Sequence, residues 1–421
     1  MGTPAGTVAG AQPRDSSNPA PAAAQAAAQP LMERTEAPAA RVALVGVHGF
    51  GTHHLRNLER LQAASVVRLV AVADPNPPAP GSVPATAAVF PGLAELLAET
   101  SGLDLIIVAT PIQTHAPLGL AALATAADLY LEKPPVASLA DFTRLGEAAA
   151  ANGRSVQIGF QSLGSHALKA IEKLLADGTI GTLQGISATG RWVRDRAYYK
   201  RSRWAGKRTI DGVDVVDGVA TNPLAHAVAT ALRIAGARTT ADIASLETEL
   251  YRANSIESDD TSVIRIRTSS GLPITCALTL CASESVEPYV TLQGSKGTAI
   301  FHYTEDRLTV ETAAGRSEEA FGRDDLTENL LDHRTGGAPL ISPLLDSGAF
   351  MLVLEAIRTA PLPAPVAEAH VRWQGTEDAA HAVVAGIEEA LERAAGQHAT
   401  FSELGLPWAT SAPHVFNLPA S

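Results

Sequence analysis

Three short apolar runs set the texture of the first part of the chain. Arg41 to Val45, Val66 to Ala73 and Leu105 to Ala109 are each continuous and each stopped by a turn residue. Strands of a parallel sheet read this way because helices cover both of their faces. Helical stretches lie between and after them, at His53 to Leu61, Leu93 to Glu99 and Pro117 to Ala127. Tyr130-Leu131 begins a further crossover, and Val156 to Phe160 reads as a closing strand. Alternating strands and helices predict a doubly wound parallel sheet of Rossmann type over residues 40–160.

Beyond residue 160 the period changes. After a helix at Ser165 to Ala176 come runs of alternating polarity, clearest at Thr261 to Thr268, where Val263, Ile264 and Ile266 interleave with Arg265 and Arg267. Leu183 to Val193, Ser245 to Ala253, Pro273 to Cys281, Tyr289 to Gln293 and Thr298 to Tyr303 are further candidates. Such a set predicts a large, open, mostly antiparallel sheet with one face solvated or used in assembly. Helices are expected at Ala227 to Ala235, Phe350 to Thr359 and Thr376 to Ala394, and no strong period follows Phe401. The fold class is therefore α/β: a Rossmann domain, then an α+β domain over residues 161–421 whose last helices pack back on the first. Residues 1–39, rich in Ala and Pro, lack periodicity and are expected to be disordered; alternatively translation begins downstream, for instance at Met32, and most of this stretch is not made.

Length and composition agree with two domains. The chain has 421 residues, 46% hydrophobic and 18% charged, enough apolar side chain for two cores. A formal net charge of −12 argues against general affinity for nucleic acid or anionic membranes, which are held chiefly by Lys and Arg. Cys276 and Cys281 have neither disulfide-framework nor zinc-site spacing, so no metal is expected. No apolar run approaches the ~20 residues of a membrane helix, and a soluble cytoplasmic protein is expected.

The candidate chemistry begins at the turn Gly46-Val47-His48-Gly49-Phe50-Gly51. A dinucleotide fingerprint needs Gly for the tight turn, for backbone approach to pyrophosphate, and for packing of helix on strand. Gly46 and Gly51 fill the outer positions, while His48 holds the middle with Gly49 beside it. Asp74 ends the second strand 23 residues after Gly51, near the ~20-residue offset at which a carboxylate meets the adenosine ribose. That carboxylate favours NAD over NADP by repelling a 2′-phosphate; the plain alternative is a turn cap before Pro75. At the third strand's carboxyl edge stand Thr110, Pro111 and His115, and after Leu131 comes Glu132-Lys133-Pro134. A Lys fixed there could donate to a substrate hydroxyl and stabilise alkoxide charge.

These segments resemble the Gfo/Idh/MocA family of sugar and cyclitol oxidoreductases. The likeness rests on the Gly-rich turn with His54-Leu55, the strand-ending Asp74, Thr110 to His115, and Glu132 to Pro134. It implies a Rossmann domain followed by an open-sheet domain whose outer face often packs on another subunit, so a homodimer or homotetramer is expected. It also implies cofactor contacts at Gly46, His48, Gly49, Phe50, Gly51, Asp74, Thr110, Pro111, His115, Glu132 and Lys133. The family's Asp and His before a second-domain helix fall at Asn222 and His226, and Asn in place of Asp is a departure. Asn222 then becomes a substrate hydrogen-bonder and also the N-cap of the helix, with Pro223 in its first turn. His226 is expected to take the hydroxyl proton while Lys133 polarises the oxygen. Asp214 or Asp217 could replace the missing carboxylate if the backbone shifts.

One segment stands out against the acidic whole. Residues 191–208 hold eight basic residues and four aromatics against one acid. They could line a substrate mouth, with Arg forks on a carboxylate, sulfonate or phosphate, or form a subunit contact. Gln161, Tyr198, Tyr199, Arg203 and Trp204 are the expected substrate contacts beside Asn222 and His226. The reading is an NAD-dependent dehydrogenase of a sugar, sugar acid or cyclitol. Its alternatives are a redox glycosidase that oxidises transiently, eliminates and re-reduces, and a non-catalytic NAD-binding regulator.

Overall fold

The computed structural model describes residues 38–418, so nearly all of the expected N-terminal tail lies outside the described residues. The first half of the fold is β1 (Ala40–Val45), α1 (Gly51–Ala63), β2 (Val67–Ala73), β3 (Ala88–Phe90), α2 (Leu93–Glu99), β4 (Leu105–Val108), α3 (His115–Leu123), β5 (Asp128–Leu131), α4 (Leu139–Asn152) and β6 (Val156–Ile158). All six strands are parallel, in the order β3-β2-β1-β4-β5-β6. Every residue of β4, β5 and β6 is buried, as continuous apolar runs require. The order reverses between β1 and β4, which opens a crevice at the carboxyl ends of the strands.

Sequence pattern missed β3 and α4. β3 has only three residues, two of them exposed. α4 is Ala-rich, which blurs its apolar face, yet its ends carry clear signals: Ser138 accepts from the Asp141 amide at the start, and Gly153 closes it at φ +60°.

The second half is built on β7 (Leu183–Val193), the centre of a ten-stranded sheet. On one side of β7 lie strands Cys281–Gly294, Gly297–His302, Arg307–Thr312 and Gly315–Ala320, and on the other Pro273–Thr279, Thr261–Thr268 and Ile243–Arg252. Pairing is antiparallel except between β7 and Pro273–Thr279 and between Ile243–Arg252 and the short Ala364–Pro365. α5 (Ala167–Ala176) and α6 (Arg196–Lys200) flank β7 in sequence, and α7 (Ala225–Ile234) packs on it. α8 (Leu326–Arg334) returns to the first domain, where Leu326, Leu330 and Leu331 join Leu55, Leu58 and Tyr130. α9 (Gly348–Thr359) packs on α4 and on Ile243–Arg252, so one core runs across both halves.

The outer face of the sheet differs from expectation. α10 (Ile387–Gln397) lies over it, and Leu391, Ala394, Phe401 and Trp408 pack there against Tyr251, Val263, Ala277 and Cys281. The rings of Phe401 and Trp408 stand 5.0 Å apart, so the aperiodic C-terminal segment is anchored by two aromatic side chains. Much of the remaining outer face is polar, with Arg307 bridging Glu305 and Glu318. The helix expected over Thr376 to Ala394 is also corrected. His381–Val384 is a strand paired with Val371–Gln374, and helix begins only at Ile387, after Gly386 at φ +69°. The β-branched Val383-Val384 pair and the left-handed Gly386 stop a helix there.

Candidate active site

The carboxyl ends of β1, β2, β4, β5 and β6 bring the expected residues to one edge. Gly46 has φ +89°, and a Cβ there would lie 2.5 Å from the Ala109 carbonyl oxygen. At Gly51 a Cβ would lie 2.1 Å from the Gly46 carbonyl oxygen. Only glycine fits either place. Gly49, at φ +54°, meets nothing within 4 Å, and His48 and Phe50 beside it are exposed. No side chain caps α1 and no acid sits in its first turn, so its positive end is left for an anion. Asp74 ties the turn to β2: one carboxylate oxygen accepts from the Val47 amide at 3.0 Å, the other from the Asn76 amide at 2.9 Å. Asp74 stays partly exposed, and its remaining lone pairs suit ribose hydroxyls. This cradle fits an adenine dinucleotide.

His115 and Glu132 support the edge from beneath. His115 is 1% exposed, with one ring nitrogen 2.8 Å from the Thr110 carbonyl and the other 2.9 Å from that of Pro134. It staples the β4 loop to the β5 loop, and burial lowers its pKa despite those carbonyls. Thr110 is held by Thr114, 2.6 Å away, and Pro111 by contrast is exposed. Glu132, 4% exposed, binds His54 at 2.9 Å, Gln161 at 3.0 Å and the Lys133 amide at 3.1 Å. Glu132, His115 and Gln161 are thus committed to holding the loop that carries Lys133.

Lys133 is the centre of the site. Its ammonium nitrogen donates to the Asn222 carbonyl at 2.9 Å and to Asn222 Oδ1 at 3.0 Å. Asn222 Nδ2 donates in turn to Asp217 Oδ1 at 2.6 Å, and Asp217 Oδ2 accepts from the Gly206 amide at 2.6 Å. The Asn222 side chain is therefore spanned between lysine and carboxylate rather than capping α7, whose N-cap is Leu224. Burial lowers the Lys133 pKa, opposed by the charges of Glu132 and Asp217 and helped by that of Arg201. Two of the Nζ valences are occupied by Asn222; the third is a proton in the ammonium and a lone pair in the amine.

His226 lies in the first turn of α7. Its Nδ1 is 3.3 Å from Ser162 Oγ and its ring meets the edge of Phe160 at 5.7 Å. Burial, then the charges of Lys133 and Arg323, hold its pKa well below the usual imidazole range, so it is neutral near pH 7.

Part of the basic-aromatic segment closes over this chain of bonds. Tyr198 is buried, with the Arg201 guanidinium 3.5 Å from its ring centroid, and Arg201 is also 4.6 Å from the Trp204 ring. Among the described residues, Arg201 has no carboxylate within 4 Å. Arg203 instead points outward to Asp211 with its side chain 81% exposed, and the buried hydroxyl of Tyr199 has no hydrogen-bond partner among the described residues. Asp214 is taken up by Arg358 at 3.1 Å. Sequence reasoning passed over Ser162 and Thr230; single hydroxyls on a turn or an apolar helix carry no periodic signal, and only tertiary packing aims them inward.

Comparison with known proteins bears on the fold that carries this site. Residues 40–160 match the model of an oxidoreductase family with an NAD-binding Rossmann fold, GFO/IDH/MocA, and residues 168–300 match the GFO/IDH/MocA C-terminal domain, together more than half of the chain. An inositol 2-dehydrogenase of Rubrobacter xylanophilus is 33% identical over 144 residues, 33% of this chain and 40% of that protein. Inositol 2-dehydrogenase 3 of Saccharopolyspora erythraea is 29% identical over 143 residues, 34% and 42% respectively. The match thus spans less than half the length of these relatives. Among solved structures, the WlbA dehydrogenase of Bordetella pertussis, in complex with NADH and UDP-GlcNAcA, aligns with a TM-score of 0.63 at 21% identity over 76% of this chain and 95% of that one. UDP-N-acetylglucosamine 3-dehydrogenase GnnA of Acidithiobacillus ferrooxidans gives 0.59 at 16% identity, over 76% and 97%. At these identities the likeness is one of fold.

Proposed function

Because the chain belongs to the GFO/IDH/MocA oxidoreductase family and carries its NAD-binding Rossmann domain, we propose that it oxidises or reduces a CH–OH carbon of a sugar, sugar acid or cyclitol. The observation that carries this reading is the Lys133–Asn222–Asp217 chain at the mouth of the dinucleotide crevice. NAD, when bound, supplies the hydride acceptor. Gly46, Gly49 and Gly51 give its pyrophosphate access to backbone, and Asp74 takes the ribose hydroxyls and disfavours a 2′-phosphate. Lys133 and His226 flank the reacting hydroxyl, where one removes or returns its proton and the other hydrogen-bonds its oxygen. Burial favours the uncharged form of both groups.

The preferred substrate is anionic. Arg201 stacks on two aromatic faces and donates to the Tyr198 carbonyl at 2.7 Å; it is exposed, feels the charge of Asp217, and has no carboxylate within 4 Å among the described residues, in a chain of net charge −12. A uronate carboxylate or a sugar phosphate would complete that pairing. The test is a panel of neutral sugars, uronates, sugar phosphates, cyclitols and aryl glycosides, with NADH absorbance and aglycone release followed together. We expect NADH in proportion to product and no aglycone release. Lys133→Met should lower kcat by about 10²- to 10⁴-fold with NAD affinity kept. Aglycone release that needs NAD without net NADH would mean a redox glycosidase, and NAD binding with no turnover on any compound would mean a regulator.

A further inference from the structure

Behind His226 lies a pair of hydroxyls that determines which ring nitrogen holds the proton. Ser162 sits in the turn that follows β6 and is 2% exposed; Thr230 lies one helical turn after His226 on α7 and is fully buried. The Thr230 hydroxyl donates to Ser162 Oγ at 3.0 Å. Ser162 Oγ is in turn 3.3 Å from His226 Nδ1. Since Ser162 accepts from Thr230, its own proton needs an acceptor, and Nδ1 is the partner in reach. Were Nδ1 protonated, two donors would converge on one oxygen and a buried hydroxyl proton would be stranded. Nε2, at the other side of the ring, has no hydrogen bond to the described protein groups, and His226 as a residue is partly exposed.

We propose that Thr230 and Ser162 lock His226 in the Nε2–H tautomer, making it a hydrogen-bond donor to the substrate oxygen rather than the proton acceptor. Proton transfer then belongs to Lys133. In oxidation the O–H proton passes to the lone pair of the neutral amine, which becomes ammonium, while the carbonyl forms and the hydride leaves with its electron pair for the oxidised nicotinamide. The Nε2–H donor stabilises the negative charge growing on the oxygen. Asn222 holds the other two Nζ valences, so the lone pair has one direction left. This reverses the roles that sequence alone suggested, and Ser162 and Thr230 become positioning residues. The lowered pKa of His226 agrees, since a doubly protonated ring could not accept from Ser162.

This inference rests on the proposed dehydrogenase reading for its consequence, but the tautomer can be observed without any substrate. Protein labelled with [15N]histidine and saturated with NADH is examined by long-range 1H–15N correlation near pH 7, and the His226 signals are identified by their loss in His226→Gln. The expected pattern is that of the Nε2–H tautomer. Ser162→Ala should convert it to a mixture or to Nδ1–H, and Ser162→Thr, which keeps a hydroxyl, should retain it. On any compound the wild type oxidises, Ser162→Ala should lose about tenfold or more in kcat, as loss of the correct tautomer does elsewhere, with NAD affinity unchanged. An Nδ1–H pattern in the wild type, or an unchanged pattern in Ser162→Ala, would overturn the proposal. A correct tautomer in a protein that oxidises nothing would instead count against the dehydrogenase reading alone.

Discussion

Asp217 shows how one side chain can matter through another. It touches Asn222 rather than Lys133, yet its carboxylate raises the lysine pKa across that amide. Oxidation by neutral Lys133 should quicken as pH rises through the lysine pKa, which burial has moved below its ordinary value. Asp217→Asn removes a raising charge, so the rising limb of log kcat/KM should move to lower pH. Asn222→Asp puts a carboxylate directly on Nζ and should move that limb to higher pH, with less activity near neutrality. Limbs that coincide in the wild type and both variants would show that Lys133 is not the titrating group. Gly46 gives a structural counterpart. Gly46→Ala meets both a left-handed φ and the Ala109 carbonyl, and should cost about 1–3 kcal/mol, read as a lower thermal midpoint together with weakened NAD binding. At this scale the sequence was informative where a residue type is chemically rare: the glycines, Asp74, Lys133 and His226 all reach the crevice. It was uninformative about Ser162 and Thr230, because a hydroxyl on a helix or turn looks the same whether it faces solvent or a histidine.

The elements divide along a similar line. Period-2 runs located Thr261–Thr268 and Pro273–Thr279, because strict alternation or β-branching leaves little else those residues could form. The C-terminal segment was misread because Glu377 to Ala394 contains enough Ala and Glu to mimic helix, while Gly386 and the Val383-Val384 pair decide otherwise. The helix that does form, α10, covers the outer face of the sheet with Leu391 fully buried. Leu391→Ala should cost about 2–5 kcal/mol, visible as a lower urea midpoint. A change under about 0.5 kcal/mol would mean that α10 is not part of the folded core.

For the molecule as a whole, a doubly wound parallel sheet and an open second sheet were legible because buried parallel strands and alternating strands have different sequence textures, whereas the order β3-β2-β1-β4-β5-β6, with its short edge strand, was not. That C-terminal helices return to the first domain was expected, but the contacts that make the return were not legible: α8 and Ser342 pack on the first sheet through residues far apart in sequence, such as Ile158 amide to Ser342 carbonyl at 2.8 Å. That wrapping brings Lys133 of one half to Asn222 of the other, so the site depends on both. The charge distribution adds a prediction at this scale. Arg201→Gln should raise KM for an anionic sugar by roughly tenfold, the equivalent of ~1.4 kcal/mol, and leave a neutral polyol unchanged; equal effects on both would remove the case for an anionic substrate.

The proposed chemistry depends on a dinucleotide held between Gly46 to Gly51 and Asp74. Isothermal titration calorimetry of the purified protein tests that most directly. Saturable NAD binding at one site per chain is expected, tighter than NADP, with the preference weakened in Asp74→Ala. Absence of heat from both dinucleotides at millimolar concentration would contradict it.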